Sequence, residues 1–596
     1  MTNTTTDTTT TKTWLIWKAD KITAPATGPS FEWALDTSKP YYWLTEYSRL
    51  FLGRWYLVGD QTPEERVRYI AETAEKILEK PGFADKFEKY MSQGFYSLSS
   101  PVWSNFGLDR WLPISCFGSY LGDNMGDILH TQAEVGMMSK FGGGASAYFG
   151  ALRHRWAEIK NNGHSSGAVH FMQLFESLID VVSQGSMRRG HLSPYLPLEH
   201  PDAEEFLKIG TEGNPIQKLT HGVTVTNKWM EEMVGGDNDK RALWAQVIQR
   251  RGEIGYPYIF FTDNVNDNTV DCYKDNDHKI YASNMCTEIM LPSSEDRSFV
   301  CCLSSINLSR YDDWKDTDAV ETMIYFLDAV MSEFITKLEA LRDHPEREKQ
   351  KQFTFMEKAY NFAVANRALG LWTLGRHSCL QAKSIPIESE EAYALNIEIH
   401  KLIKEKSYAA SEEMAKTHGE PSVLKGYGRR HATLNAIAPT TSSAFILGQV
   451  SQSIEPFFSN YYVKDLAKTK VSIKNRELEK ILEEKGENTR ETRESIRDND
   501  GSVQHLSFLS DHEKNVFKTF SEINQYTIID QAADRQKFID QWISLNLMVN
   551  PSMPVKEINA LYMDARKQGI KTLYYQHSMN AAQQLSRQIK CSGCEA

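Results

Sequence analysis

Between about residue 111 and residue 460 the chain alternates short apolar or β-rich segments with long helical patterns. Tyr256-Pro-Tyr-Ile-Phe-Phe261 and Thr433-Leu-Asn-Ala-Ile-Ala438 are examples of the first, and Ala394 to Thr417, ending at Gly419, of the second. Helices that alternate with strands cover the faces of the sheet. The pattern therefore predicts an α/β fold with a largely buried sheet. Upstream, Thr62-Pro-Glu-Glu65 leads into Val67, Ile70, Ala74, Ile77 and Leu78 and is followed by Pro81-Gly82. A cap, a proline at the first helical position and apolar spacings of three and four predict a helix there, within an N-terminal helical domain over 13–110. Residues 1–12 are low-complexity Thr, Asn and Asp and are expected to be disordered. A densely charged stretch, Asn475 to Asp500, marks a helical insertion over about 461–520 of a catalytic domain spanning 111–580, and 581–596 form a flexible tail. No internal repeat is evident.

With 596 residues, 41% of them hydrophobic, the chain can bury one large core or two to three smaller ones. A formal net charge of -11 without Lys/Arg-rich runs argues against a nucleic-acid-binding surface. No apolar stretch approaches the roughly 20 residues that span a bilayer, and the Thr-rich start lacks the apolar core of a signal peptide. Eight unevenly spaced cysteines do not form a secreted disulfide framework and suit a reducing cytoplasm, where thiols are catalytic, metal-binding or simply buried. Cys591 and Cys594 close the chain in Cys-Ser-Gly-Cys-Glu-Ala, far from any core. Such a terminal dithiol suits redox exchange with something that turns over inside the protein, which points to a reductase. Half of a zinc site is the competing reading, and no second Cys/His pair stands nearby to complete it.

Ser283-Asn-Met-Cys-Thr-Glu288 spaces Asn284, Cys286 and Glu288 by two, so on an extended segment all three side chains face the same way. A thiol flanked by an amide and a carboxylate can do radical or proton chemistry on a bound hydroxyl group, although on spacing alone a buried structural cysteine is the commoner reading. Cys301-Cys-Leu-Ser-Ser-Ile-Asn-Leu308 follows, and only one of Cys301 and Cys302 can face the same site. Pro439-Thr-Thr-Ser-Ser443 sits between a β-like run and Ala444-Phe-Ile-Leu447. Hydroxyls where a strand feeds a helix suit either a phosphate cradle or an ordinary cap. Leu573-Tyr-Tyr-Gln576 sets two adjacent phenols in a strand-like segment, which means packing unless a radical must travel.

Taken in order, Asn-x-Cys-x-Glu, Cys-x-Leu-x-Ser-Ile-Asn-Leu, Pro-Thr-x-Ser-Ser, Leu-Tyr-Tyr-Gln and a terminal Cys-x-x-Cys resemble the catalytic large subunit of class I ribonucleotide reductase. Ala532-Ala-Asp-Arg-Gln-Lys-Phe-Ile539 and Ser544-Leu-Asn-Leu547 are similar to that family's C-terminal region. The resemblance implies a ten-stranded α/β barrel whose central finger loop carries Cys286 as the thiyl radical that removes the ribose 3′ hydrogen. It makes Glu288 the acceptor of the 3′-hydroxyl proton and Asn284 a hydrogen-bonding partner of the sugar. It pairs Cys116, in Pro113-Ile-Ser-Cys-Phe-Gly118, with Cys301 as the reductant that ends as a disulfide, and puts Ser115 in the substrate site. Cys301 is chosen over Cys302 because the family's cysteine stands two residues before the leucine matching Leu303. Thr440, Thr441, Ser442 and Ser443 would hold the substrate phosphates. Cys591 and Cys594 would reopen the disulfide and then meet thioredoxin or glutaredoxin. Tyr574 and Tyr575 would relay the radical from a separate, metal-containing small subunit, so no metal and no covalently bound cofactor is expected in this chain.

The same resemblance assigns Asp123 and Arg153 to a specificity site for nucleoside triphosphate effectors (ATP, dATP, dTTP and dGTP) at a homodimer interface. It assigns Gln184 and Arg188, in Ser183-Gln-Gly-Ser-Met-Arg-Arg-Gly190, to the loop that couples effector to substrate, where Arg189 and His191 depart from the commoner Gly/Ala. Only about 110 residues precede Cys116, without a Lys-Arg-Asp-Gly-like motif, so the N-terminal ATP cone and its on/off control are expected to be missing. The reaction implied is reduction of ribonucleoside diphosphates to 2′-deoxyribonucleoside diphosphates in the cytoplasm. An adenosylcobalamin-dependent class II reductase would share nearly every catalytic cysteine but would not need the tyrosine pair. A non-catalytic nucleotide-binding regulator would have no reason to keep Cys286, Glu288 and the tail dithiol together.

Overall fold

The computed structural model describes residues 35–184, 188–466 and 469–578, with side chains left out over 183–189 and 463–472. The described residues from 36 onward make one compact unit by their contacts. Its centre is a closed ring of ten hydrogen-bonded segments. Cys116–Tyr120, Gly144–Tyr148, Leu192–Pro197, Gly222–Val225 and Tyr258–Phe261 pair in parallel in that order. Phe299–Asn307 and Leu369–Leu374 pair in parallel, and isolated parallel bridges, Leu371 to Asn435 and Ile437 to Ile543, continue the second half. Leu547–Val549 then pairs in parallel with Gln576–Ser578. The two five-segment halves join antiparallel at both seams, Phe299 to Cys301 against Gly118 to Cys116, and Ile259–Phe260 against Leu573–Thr572. The ring strands are buried along their length, with half-buried ends such as those at Cys116, Tyr120, Gly144 and Tyr148, as in a sheet covered by crossover helices. The expected ten-stranded α/β barrel is the architecture observed.

Local signals account for much of the helical layer. Helix Pro63–Leu78 opens on the Thr62/Glu65 capping box and ends before Pro81. Helix Glu390–His418 begins earlier than its apolar pattern suggested because Ser389 caps it, and it stops at Gly419. The N-terminal helices are tied to one another by Arg66, fully buried, whose guanidinium donates to the carbonyls of Val102, Trp103 and Phe106. In the charged stretch, a hairpin (Tyr461–Leu466 with Thr469–Lys474) precedes helices Arg476–Glu484 and Arg490–Asp498. These helices are not wholly solvated: Leu478, Leu482, Ile496, Val503, Leu506, Val516 and Phe517 form a small core of their own. No helix among the described residues is long and apolar enough to cross a membrane.

Candidate active site

The segment leading into Phe299–Asn307 passes through the inside of the ring. It is held there by inward-pointing side chains from both halves. Tyr195 Oη donates to the Asn284 carbonyl (3.0 Å), Ser544 Oγ to the Cys286 carbonyl (2.5 Å), and Thr572 Oγ1 to the Thr287 carbonyl (3.1 Å). Gln541 Oε1 accepts from the Met290 amide (3.1 Å). The expectation that Asn284, Cys286 and Glu288 converge through strand alternation is corrected. The chain turns here, with the Thr287 amide bonded to the Asn284 carbonyl (3.2 Å) and Thr287 itself at φ +68°. A β-branched residue at positive φ is strained by about 1–3 kcal/mol, and the surrounding contacts hold it. The turn, not a pleat, brings all three side chains to one cleft.

That cleft, about 670 Å³ including its opening to solvent, is lined by Ser115, Cys116, Asn284, Cys286, Glu288 and the whole Thr440–Ser443 run, among others. Cys301 stands directly opposite Cys116 across the antiparallel seam. Opposed positions put their Cβ atoms about 4.5–5.5 Å apart, a little beyond the about 3.5–4.5 Å of a disulfide, so a small approach closes the bond. Neither is in a disulfide in this structure. Asn284 Nδ2 lies 3.6 Å from Cys116 Sγ, and Gln541 Nε2 3.4 Å from Cys301 Sγ. Burial pushes the Cys301 thiol well up, with the Gln541 contact opposing. Cys302 is buried on the other side of the strand, where Asp328 and Arg367 are its charged neighbours.

Glu288 is 1% exposed, and burial raises its carboxyl to about 7 against the opposing hydrogen bonds from Asn284 and Ser544. Ser544 Oγ is 3.1 Å from Glu288 Oε2 as well as hydrogen-bonded to the Cys286 carbonyl. Its single hydrogen serves one acceptor at a time, so the Glu288 carboxylate and the Cys286 carbonyl share this donor. Thr440 adopts a left-handed conformation (φ +57°) at the start of helix Thr441–Ile446, and its Oγ1 accepts from the Ser453 amide (2.7 Å).

Tyr574 and Tyr575 lie between Thr572–Leu573 and Gln576–Ser578, where the chain leaves one pairing partner for the next. Their rings are 4.4 Å apart, and both are buried. Strand Leu547–Val549 and its approach fix them through bonds from the Tyr574 amide to the Leu545 carbonyl and from the Leu547 amide to the Tyr575 carbonyl. Asn546 Oδ1 accepts from the Tyr575 amide (3.0 Å). Ser544 and Asn546, two apart on the approach to that strand, thus hold the thiol loop and the phenols respectively. Sequence reasoning quoted this stretch without giving it a role, and it missed Gln541, because only the closed ring makes them neighbours of Cys286 and Cys301.

Asp123 and Arg153 pair with each other (Nε to Oδ2, 2.8 Å), both part-exposed and apart from the cleft lining. The backbone of Gln184 pairs with that of Arg188 in a short hairpin, but their side chains lie outside the described residues. Cys591 and Cys594 lie outside them too, as does the low-complexity stretch 1–12. Among the described residues no cluster of three or more His, Cys, Asp or Glu side chains could hold a metal ion.

Residues 114–240, 236–423 and 421–576 match the family model described as the ribonucleotide reductase barrel domain. The chain belongs to the ribonucleotide reductase family. Within that family, the ribonucleoside-diphosphate reductase large subunit of Invertebrate iridescent virus 3 is 31% identical over 598 residues, covering 87% of this chain and 91% of that protein. The large subunit of Caenorhabditis elegans is 28% identical, covering 81% of this chain and 69% of that one. Among solved structures, the Actinobacillus ureae class Id ribonucleotide reductase alpha subunit is 54% identical, superposes with a TM-score of 0.85, and covers 91% of this chain and 99% of its own. These reductase relatives favour class I over the cobalamin-dependent alternative.

Proposed function

We propose that this chain is the catalytic subunit of a class I ribonucleoside-diphosphate reductase, converting ribonucleoside diphosphates to 2′-deoxyribonucleoside diphosphates for DNA precursor synthesis. The observation that carries the reading is one cleft shared by Cys286, Glu288, Asn284, Cys116 and the Thr440–Ser443 run, with Cys301 opposite Cys116. The diphosphate lies against Thr440, Thr441, Ser442 and Ser443, with Ser115 beside the sugar. Cys286, as a thiyl radical, takes the 3′ hydrogen atom of the ribose. Ionised Glu288 accepts the 3′-hydroxyl proton, and Asn284 holds the sugar hydroxyl. Loss of the 2′-hydroxyl as water is matched by two electrons from Cys116 and Cys301, which become a disulfide. The 3′ hydrogen then returns from Cys286, which regenerates the thiyl radical. A high thiol pKa at Cys301 suits hydrogen delivery, because the group stays protonated until it reacts.

The radical reaches Cys286 through Tyr574 and Tyr575 from a separate metal-containing subunit. Cys591 and Cys594 reopen the disulfide and are themselves reduced by thioredoxin or glutaredoxin in the cytoplasm. Nucleoside triphosphates bind at Asp123 and Arg153, with Gln184 and Arg188 passing their identity to the cleft. A homodimer is supported by the adjacent helices Met125–Lys140 and Ala168–Val181, which expose Met125, Leu129, Leu174 and Val181. Changing both Cys591 and Cys594 to Ser tests the shuttle: activity driven by dithiothreitol is expected to survive and activity driven by thioredoxin to collapse. Equal activity with both reductants would contradict it.

A further inference from the structure

The phenol pair is part of a larger group. Tyr258, on the strand that forms the second antiparallel seam, stands one position beyond the Ile259 to Leu573 pair and so faces Tyr574 across the ladder. Its ring is 4.9 Å from that of Tyr574 and 5.2 Å from that of Tyr575, the latter nearly perpendicular at 89°. Its hydroxyl donates to the Tyr575 hydroxyl oxygen at 2.9 Å, and its ring is fully buried. The placement is enforced by Arg251, whose guanidinium donates to the Pro257 carbonyl (2.6 Å) and the Tyr574 carbonyl (2.9 Å). The Gln576 amide bonds to the Gly255 carbonyl (2.9 Å), which pins the same two segments from the other side.

We infer that Tyr258 is a positioning residue for radical transfer, whose hydroxyl fixes the Tyr575 oxygen and stays bonded to it when Tyr575 is the radical. The inference rests on the reading of Tyr574 and Tyr575 as a relay. Each inward step moves one hydrogen atom. The Tyr574 O–H bond breaks as an O–H bond forms on the Tyr575 phenoxyl, then the Cys286 S–H bond breaks as the Tyr574 O–H bond reforms. No net charge moves, and Tyr258 keeps its own hydrogen throughout. A phenoxyl oxygen can only accept a hydrogen bond, and in a buried site an acceptor left without a donor is costly. Tyr258 supplies that donor without competing for the hydrogen that travels, because its O–H already points at Tyr575.

The experiment compares Y258F and Y575F with wild type, each assayed for cytidine diphosphate reduction with the radical-generating subunit from the same source. Tyr258→Phe keeps the ring and removes only the donor. It is expected to lower kcat about tenfold, the effect of one ordinary hydrogen bond made in the transferring state, with KM for cytidine diphosphate unchanged. With 3-aminotyrosine at position 575 to hold the radical there, the exchangeable deuteron donated by Tyr258 in D2O is expected to couple to that radical and to vanish in the Tyr258→Phe background. This second readout decides the matter even where the variant binds substrate poorly. Wild-type turnover by Y258F beside an inactive Y575F, or a coupled deuteron that persists without Tyr258, would overturn the inference and leave the relay intact. Full turnover by Y575F would remove the relay, and this inference with it.

Discussion

At Glu288 burial and hydrogen bonding oppose each other, and burial wins, leaving the carboxyl at about 7. A base must be ionised to accept a proton, so turnover is expected to rise with pH through about 7, and E288Q to lose about 10²–10⁴-fold in kcat with nucleotide binding intact. The same shift acts on stability with the opposite sign. The folded protein holds a proton that the unfolded chain releases between the ordinary value of 4.5 and about 7, so this group's contribution weakens as pH rises through that window. Ser544→Ala removes a bond that favours the ionised form. The inflection in kcat against pH is therefore expected to move upward, and a profile that does not move would show that Ser544 leaves Glu288 untouched. That Cys286, Glu288 and Asn284 share one cleft was legible because they lie within five residues of one another in a recognisable spacing. Ser544, Gln541 and Tyr258 were not, since each meets its partner only after the ring closes across hundreds of residues.

Strand and loop show a different mixture of what was legible. The alternation of β-rich and helical segments correctly announced an α/β fold with a largely buried sheet, and Cys301 rather than Cys302 faces Cys116 because strand neighbours point to opposite sides. The active loop was misread as extended. Its turn depends on contacts to Tyr195, Gln541, Ser544 and Thr572 that hold Thr287 at positive φ, and no local propensity encodes them. Arg251 plays a comparable part for the phenols. Replacing it with Met strands the carbonyls of Pro257 and Tyr574, and a loss of about 2–4 kcal/mol in urea unfolding is expected, with turnover falling alongside. Over 476–517 the separate small core makes that region an independent opening unit. Its amides are expected to exchange with solvent well before those of the barrel strands, and common exchange rates would show instead that the two open together.

At the scale of the whole molecule, the closed ring brings Cys116, Cys286 and Cys301 together from distant parts of the sequence. Two antiparallel seams lie on the barrel wall, one carrying Cys116 and Cys301 and the other leading into the phenols, with the loop between them. The surface proposed for a homodimer was not visible in the sequence pattern, because an exposed apolar stripe on two helices looks like any amphipathic surface until packing shows which residues stay uncovered. L129D places a charge on that stripe and is expected to shift the protein to monomer in sedimentation, and to abolish effector control while the cleft remains folded. The reaction itself is tested most directly by deoxycytidine diphosphate formation from wild type and C286S, each with dithiothreitol, an effector triphosphate and the radical-generating subunit, with adenosylcobalamin substituted for that subunit in parallel. Product from wild type with the protein partner alone, and none from C286S although it still binds cytidine diphosphate, is the expected result. Product from C286S, or from wild type supplied only with adenosylcobalamin, would contradict the account.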